Sequence, residues 1–210
     1  MAGLFDMDDA LLEEMSAQMG DEERALFLRE ASRLFADVEA MFRDFENRRV
    51  YQSLTEEVLA QIPDSELVMT VFDTLAVQAP EGLGEAAYLA KMRPERRAVY
   101  ALCVLAGEVD NGGFNQYYYN TEAEAAACLP EACELVGAPK YADLLRRAND
   151  CYRQSDIAAR QDGSLEAFCA SYENNPLAGF DDEFYLLENC MPLDDLLVRF
   201  IRGNAAAFAD

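Results

Sequence analysis

The sequence predicts an all-α protein: a compact multi-helix domain with an N-terminal amphipathic helical arm. Apolar residues recur every three or four positions along most of the 210-residue chain. Prolines and glycines interrupt this pattern where helices would start and stop. No segment sustains the alternation of apolar and polar residues that a half-buried strand requires, so we predict no sheet. Apolar residues make up 51% of the chain, which is enough for one buried core.

The N-terminal arm, residues 1–50, contains one long amphipathic pattern from Asp21 to Arg48. An acidic segment from Asp8 to Met19 precedes it across Gly20 and predicts a separate short helix. A single helix cannot bury its own apolar stripe. We therefore expect the arm to pack on the main body or on a second copy of the chain, so that a homodimer is one predicted arrangement.

The main domain, residues 51–210, is divided into helices by its prolines and glycines. We predict helices at 54–62, 66–77, 86–92, 97–109, 122–136, 140–153, 165–173, 181–187 and 193–201. Gly137 stands where a left-handed helix cap is expected. The stretch from Arg97 to Val109 is apolar nearly all round, which predicts a helix at the centre of the fold with Cys103 buried.

The charge of the chain argues against nucleic acid and membranes as ligands. Its 40 Asp and Glu against 17 Lys and Arg give a formal net charge of -23. Binding to phosphates or to an anionic membrane depends on clustered Lys and Arg, and no such cluster is present in the sequence. The charge favours a basic protein as the partner. Acidity that only keeps the protein dispersed in solution is the alternative.

Catalytic and metal-binding residue types are scarce. Histidine, the commonest general base and transition-metal ligand, is absent, and the six cysteines form no Cys-x-x-Cys pair. The runs Asp181-Asp182-Glu183 and Asp110-Asn111-Gly112 offer oxygen ligands, but neither has the spacing of a calcium-binding loop. We therefore predict no enzyme activity, no cofactor and no metal. Free thiols, with no signal peptide or membrane span in the sequence, predict a cytoplasmic protein.

The segment from Leu105 to Asn120, LAGEVDNGGFNQYYYN, is the most unusual part of the sequence. Its asparagine and glycine pair permit positive φ angles, which predicts that the helix ends after Val109 in a sharp turn. The aromatics Phe114, Tyr117 and Tyr118 have the spacing to enter the core from one face of a following helix. The polar residues are expected to satisfy loop amides. The segment is interpreted either as a rigid corner between two helices or as the lining of a ligand pocket. The residues of this corner are Glu108, Asn111, Gly112, Gly113, Phe114, Gln116, Tyr117 and Asn120.

At these residues the sequence resembles a bacterial family of DNA-mimic proteins. The family's helical domain carries a Glu, then Asn-Gly-Gly-Phe, then a Gln followed by aromatics and Asn. Weaker likeness at 136–139, 181–185 and 200–208 extends the resemblance over roughly residues 65–208. The resemblance implies a compact helical domain whose carboxylates imitate DNA phosphates and occupy the DNA-binding face of a helix-turn-helix repressor.

The predicted function follows from the charge and the resemblance together. We expect a non-catalytic acidic protein that binds a basic partner protein, such as a DNA-binding transcriptional regulator, by imitating the charge of DNA. The alternative is a helical scaffold or small-ligand-binding protein with no DNA mimicry. The two hypotheses differ in salt dependence, because binding through many carboxylates weakens steeply as salt rises.

Acidic residues near both ends of the chain are the predicted partner-binding sites. Carboxylates four residues apart on a helix stand about 6 Å apart, so two neighbouring rows can roughly match a strand with one phosphate per about 3.4 Å. The alternative is that the pairs at 181–182 and 194–195 only cap helices. The candidate binding residues are Asp8, Asp9, Glu13, Glu14, Asp181, Asp182, Glu183, Glu188, Asp194 and Asp195.

Overall fold

Prolines, glycines and capping side chains set most of the helix boundaries. The computed structural model describes residues 16, 19–46, 48–157, 164–173 and 175–210. It is 73% helical, with eleven helices and no strand in the described residues, which confirms the predicted all-α class. The acidic candidates Asp8, Asp9, Glu13 and Glu14, and nearly all of the predicted helix at 8–19, lie outside the described residues.

The chain divides into two compact units between Arg49 and Val50. In the first unit, helix α1 spans Asp21–Glu46, close to the predicted bounds. The Arg24 guanidinium donates a hydrogen bond to the Ser16 hydroxyl at 3.2 Å. The homodimer that the arm suggested stays a prediction.

The second unit contains the other ten helices. Thr55 and Ser164 accept hydrogen bonds from backbone amides in the first turns of the helices that they precede. Gly137 has a φ of 79° just after the helix that ends at Leu135, which confirms the predicted left-handed cap. None of the helices in the described part of the chain is long and apolar enough to cross a membrane. The helices are α2 Glu56–Gln61, α3 Asp64–Val77, α4 Glu85–Leu89, α5 Pro94–Asn120, α6 Leu129–Leu135, α7 Pro139–Gln154, α8 Leu165–Ser171, α9 Ala178–Cys190, α10 Leu193–Gly203 and α11 Ala205–Phe208.

Helix α5 lies at the centre of this unit, as its apolar sequence predicted. It packs against α3, α6, α9 and α11. Its side chains Val99, Leu102, Leu105 and Val109 are completely buried. Cys103 is only partly buried, so the prediction that it is buried was wrong: the packed helices leave part of the Cys103 side of α5 uncovered.

The predicted helix at 122–136 begins seven residues late, at Leu129. Glu122 and Ala123 instead form turns with φ angles of 50° and 57°. The Glu124 carboxylate accepts a hydrogen bond from the Ala86 backbone amide at 2.9 Å. Since Ala86 lies in the first turn of α4, its amide has no partner within that helix. This long-range bond holds residues around Glu124 in a conformation that helix propensity alone does not favour.

Candidate functional site

Helix α5 is kinked at Gly112 and Gly113. Gly112 has an extended φ of -162°, whereas Gly113 has a φ of 74° with a ψ of -176°. The chain stays helical through Asn111, so the prediction that the helix ends at Val109 was two residues short, and only one residue takes a positive φ. A Cβ atom on Gly113 would lie 2.6 Å from the Asp181 carboxylate. Glycine is therefore required there both for its backbone angles and for this close approach.

The Asp181 carboxylate caps the second half of α5. Its Oδ1 accepts a hydrogen bond from the Phe114 backbone amide at 2.7 Å, where the helix restarts after the kink. Burial raises the pKa of Asp181, and the bond from Phe114 opposes this shift. Helix α9 begins at Ala178, so Asp181 does not start its own helix as predicted. It stabilises the start of a different helix, and it is not a free carboxylate for a partner.

Two tyrosines hold the other side of the kink. The Tyr185 hydroxyl donates to the Val109 carbonyl at 2.7 Å, and the Tyr172 hydroxyl donates to the Gly112 carbonyl at 2.8 Å. Interrupting a helix leaves carbonyls such as these without their usual amide partners. Tyr185 falls in one of the weaker stretches of family likeness, whereas Tyr172 had no signal in the sequence.

Glu108 joins the two halves of α5 across the kink. Its Oε2 accepts hydrogen bonds from the Gln116 amide at 2.9 Å and from the Asn120 amide at 2.7 Å. The prediction that these polar side chains satisfy loop amides was therefore wrong, because they satisfy one another. Asn111, the fourth polar residue of the corner, is exposed.

The aromatic residues of the corner enter the core as predicted. Phe114, Tyr117 and Tyr118 are all completely buried. The Tyr118 hydroxyl donates to the Asn149 side chain at 2.7 Å, and the Asn149 amide donates to a backbone carbonyl at 2.7 Å. The Tyr118 ring also stacks on Tyr152 with 4.1 Å between ring centroids. The complete burial of these aromatics favours the rigid-corner interpretation, and open grooves of about 350, 380 and 460 Å³ elsewhere on the described surface are lined by other residues.

Two further carboxylates among the predicted partner-binding residues are also engaged within the protein. Glu183 forms an ion pair with the Arg147 guanidinium, with one of its two hydrogen bonds at 3.0 Å. Glu188 accepts hydrogen bonds from the Tyr141 hydroxyl and, at 3.2 Å, from the Leu193 backbone amide. Together with Asp181, they are parts of the fold, and their engagement was not visible in the sequence.

Four exposed carboxylates, together with the already engaged Glu188, contribute to what we call the acidic face. Its members are Asp110, Asp182, Glu188, Asp194 and Asp195, all exposed except the half-buried Glu188. Burial, with the nearby charges of Asp110 and Asp194, raises the pKa of Glu188, although its two hydrogen bonds oppose the shift. Burial and the charge of Asp195 likewise raise the pKa of Asp194. Like charges therefore lie close together here.

No ion pair between described residues involves a member of the acidic face, although Arg199, one turn after Asp195 on α10, donates to the Asp195 backbone carbonyl at 3.1 Å. The ion pairs between described residues involve carboxylates elsewhere, such as Arg96 with Asp210 and Arg202 with Asp64. Asp194 and Asp195 lie in the first turn of α10, but Pro192 precedes that helix and provides no side-chain cap. Their favourable interaction with the helix dipole is of the order of 0.3–1 kcal/mol each and is weakened by salt. Sequence reasoning had considered Asp110 only as a metal ligand.

Metal binding finds no support in these carboxylates. Within the described part of the chain, no group of three or more Cys, Asp or Glu side chains is placed to hold an ion. The acidic runs at 110–112 and 181–183 instead contribute to the kink, to an ion pair and to the acidic face.

Comparison with known proteins gives one match. Neither a curated protein nor a solved structure matches the chain significantly. The family model described as DMP19-like protein matches residues 90–204, which is more than half of the chain and includes the kinked helix and all of α10. It is the DNA-mimic family that the resemblance had indicated. The chain therefore belongs to the DMP19-like protein family.

Proposed function

We propose that this protein binds a basic surface on another protein, a DNA-binding regulator, through its acidic face. The observation that carries the proposal is the group of neighbouring carboxylates without a basic counter-charge. Asp110 and Asp194 both raise the pKa of Glu188, and no Lys or Arg pairs with these three in the described residues. Such an arrangement opposes folding, and a basic partner would relieve the repulsion.

The kink supports this function by fixing where the carboxylates stand. Asp110 lies just before the kink, and Asp182 follows the carboxylate that caps it. The hydroxyl bonds from Tyr172, just after α8, and from Tyr185 on α9 hold these helices against α5. A preorganised set of charges loses little conformational entropy on binding, as a rigid DNA backbone does.

Membership of a DNA-mimic family supports a DNA-binding protein as the partner rather than any other basic protein. A DNA-binding surface presents Lys and Arg at spacings suited to phosphates about 3.4 Å apart along a strand. Asp194 and Asp195 are adjacent in the first turn of α10, and Glu188 lies close to Asp194. We propose that these carboxylates occupy phosphate-binding positions on such a surface.

The experiment is affinity capture from the source cytosol at low and high salt, followed by release with duplex DNA. The test variant combines D182N, D194N and D195N, which keep the side-chain shape and remove three exposed charges. Each exposed ion pair is worth about 0.2–1 kcal/mol, so we expect the affinity of a captured regulator to fall about tenfold.

The matched control removes the same charge elsewhere. It combines E56Q, E66Q and E81Q, three exposed residues outside the acidic face. The proposal requires that the control captures the regulator normally and that duplex DNA competes for it. If both variants weaken binding equally, only net charge matters; if no DNA-binding protein is captured at low salt, a scaffold or ligand-binding role replaces the proposal.

A further inference from the structure

An apolar patch borders the acidic face. Leu186 is 62% exposed, Tyr172 is 41% exposed and Tyr185 is 39% exposed, whereas the other aromatics around the kink, Phe114 and Tyr118, are completely buried. The Tyr172 and Tyr185 hydroxyls donate to backbone carbonyls only three residues apart on α5, so the two rings lie near each other, and the exposed Leu186 follows Tyr185 on α9. We call these three neighbouring exposed side chains the apolar patch.

The two tyrosine rings of the patch are fixed in place. Their hydroxyls donate to the carbonyls of Val109 and Gly112, which are three residues apart where α5 is interrupted. Each ring is anchored at its polar end and leaves carbon surface exposed. Rigid aromatic rings of this kind provide contact area at low entropic cost, which is why tyrosine is frequent at binding surfaces.

Carboxylates from α9 and α5 lie beside the patch. Asp182 precedes Tyr185 and Leu186 by three and four residues, and so lies one turn away from both. Glu188 follows Tyr185 by three residues, and Asp110 is close enough to influence the ionisation of Tyr185. An apolar centre with a charged rim is the usual anatomy of a protein-binding surface. A DNA phosphate track has no such centre.

We infer that the apolar patch is part of the binding surface. It contacts an apolar side chain on a helix of the basic partner, and Lys and Arg residues flank that side chain on the same helix. The inference rests on the proposed function and adds a second component to it. Charge complementarity selects the basic helix as the occupant, because the rim is acidic. The apolar contact adds affinity that salt does not screen, so this protein discriminates between its partner and basic surfaces that lack the apolar residue.

The probes for the test are two synthetic helical peptides with the same lysines on one face. One carries a leucine between the lysines, and its twin carries glutamine there. We expect the native full-length protein to bind the leucine peptide about fivefold to tenfold more tightly than its twin, at low and high salt alike. Fluorescence anisotropy across a salt series measures both affinities.

The variants L186N and V77N locate the contact. Val77 is 55% exposed, and its neighbour Gln78 hydrogen-bonds to Asp210, which pairs with Arg96 at the start of α5, well before Val109 in that helix. We expect L186N to bind both peptides within about twofold of each other, with its binding of the glutamine peptide unchanged. V77N should keep the native preference.

The outcomes separate the two proposals. If the native protein binds both peptides equally, and D182N/D194N/D195N weakens both, the apolar contact is overturned while charge recognition stands. A preference that survives in L186N, or disappears in V77N, also overturns the inference. If neither peptide binds at low salt, charge recognition of a basic helix fails, and the inference fails with it.

Discussion

Gly113→Ala tests the account of the kink most directly. The φ of 74° with a ψ of -176° belongs to a region that essentially only glycine adopts, and forcing another residue into it costs about 1–3 kcal/mol. The added Cβ would stand 2.6 Å from the Asp181 carboxylate, which must withdraw from the Phe114 amide. Losing a hydrogen bond to a charged group costs about 1.5–3 kcal/mol. We therefore expect the free energy of unfolding to fall by about 3–5 kcal/mol, a large part of the stability of a typical domain.

Urea denaturation followed by circular dichroism measures this loss. With an m value of about 2 kcal/mol/M, the midpoint should fall by about 2 M. Gly179→Ala is the matched control, because Gly179 lies in the first turn of α9 and an added Cβ meets nothing within 4 Å. That control should gain about 0.5–1 kcal/mol through helix propensity. A loss below about 1 kcal/mol in Gly113→Ala would refute both the strain and the capping role of Asp181.

Three further predictions concern the core, the bridge across the kink and pH. Tyr118→Phe should lower the free energy of unfolding by about 1–3 kcal/mol in urea denaturation, because the buried Asn149 loses its donor. Glu108→Ala should cost about 1 kcal/mol and increase amide hydrogen exchange around the kink, since two amide side chains lose their common acceptor. Folding raises the pKa of Glu188 and Asp194, so the folded state binds protons more tightly at these sites than the unfolded state. The thermal midpoint should therefore rise as pH is lowered from 7 toward the ordinary carboxyl pKa of about 4, and Asp194→Asn should reduce that rise; a midpoint that falls instead would contradict the raised pKa values of Glu188 and Asp194.

The sequence by itself determined the fold class and most helices. The pattern of α5 predicted a central helix, and the glycine pair within Leu105–Asn120 predicted its interruption. The spacing of Phe114, Tyr117 and Tyr118 predicted which side chains enter the core. These features depend on neighbours within a few residues of each other, so periodicity and backbone preference are enough to predict them.

Local patterns failed where contacts between distant residues control the backbone. Glu122 and Ala123 have good helical neighbours, yet they form turns beside Glu124, whose carboxylate binds the amide of Ala86, 38 residues away. Likewise, Cys103 has an apolar setting in the sequence, and its exposure depends on which helices cover α5. Helix propensity is worth a few tenths of a kcal/mol per residue, so such contacts readily override it.

Tertiary structure alone decided which carboxylates are free. The sequence presents Asp181, Asp182 and Glu183 as one acidic run, yet the first caps a helix 67 residues away, the third pairs with Arg147, and only Asp182 stays exposed without a partner. The physical reason is that a carboxylate has the same charge wherever it stands in the chain. Whether it stabilises the fold or faces solvent depends on the donors that folding brings within hydrogen-bonding distance, and those come from residues far away in the sequence.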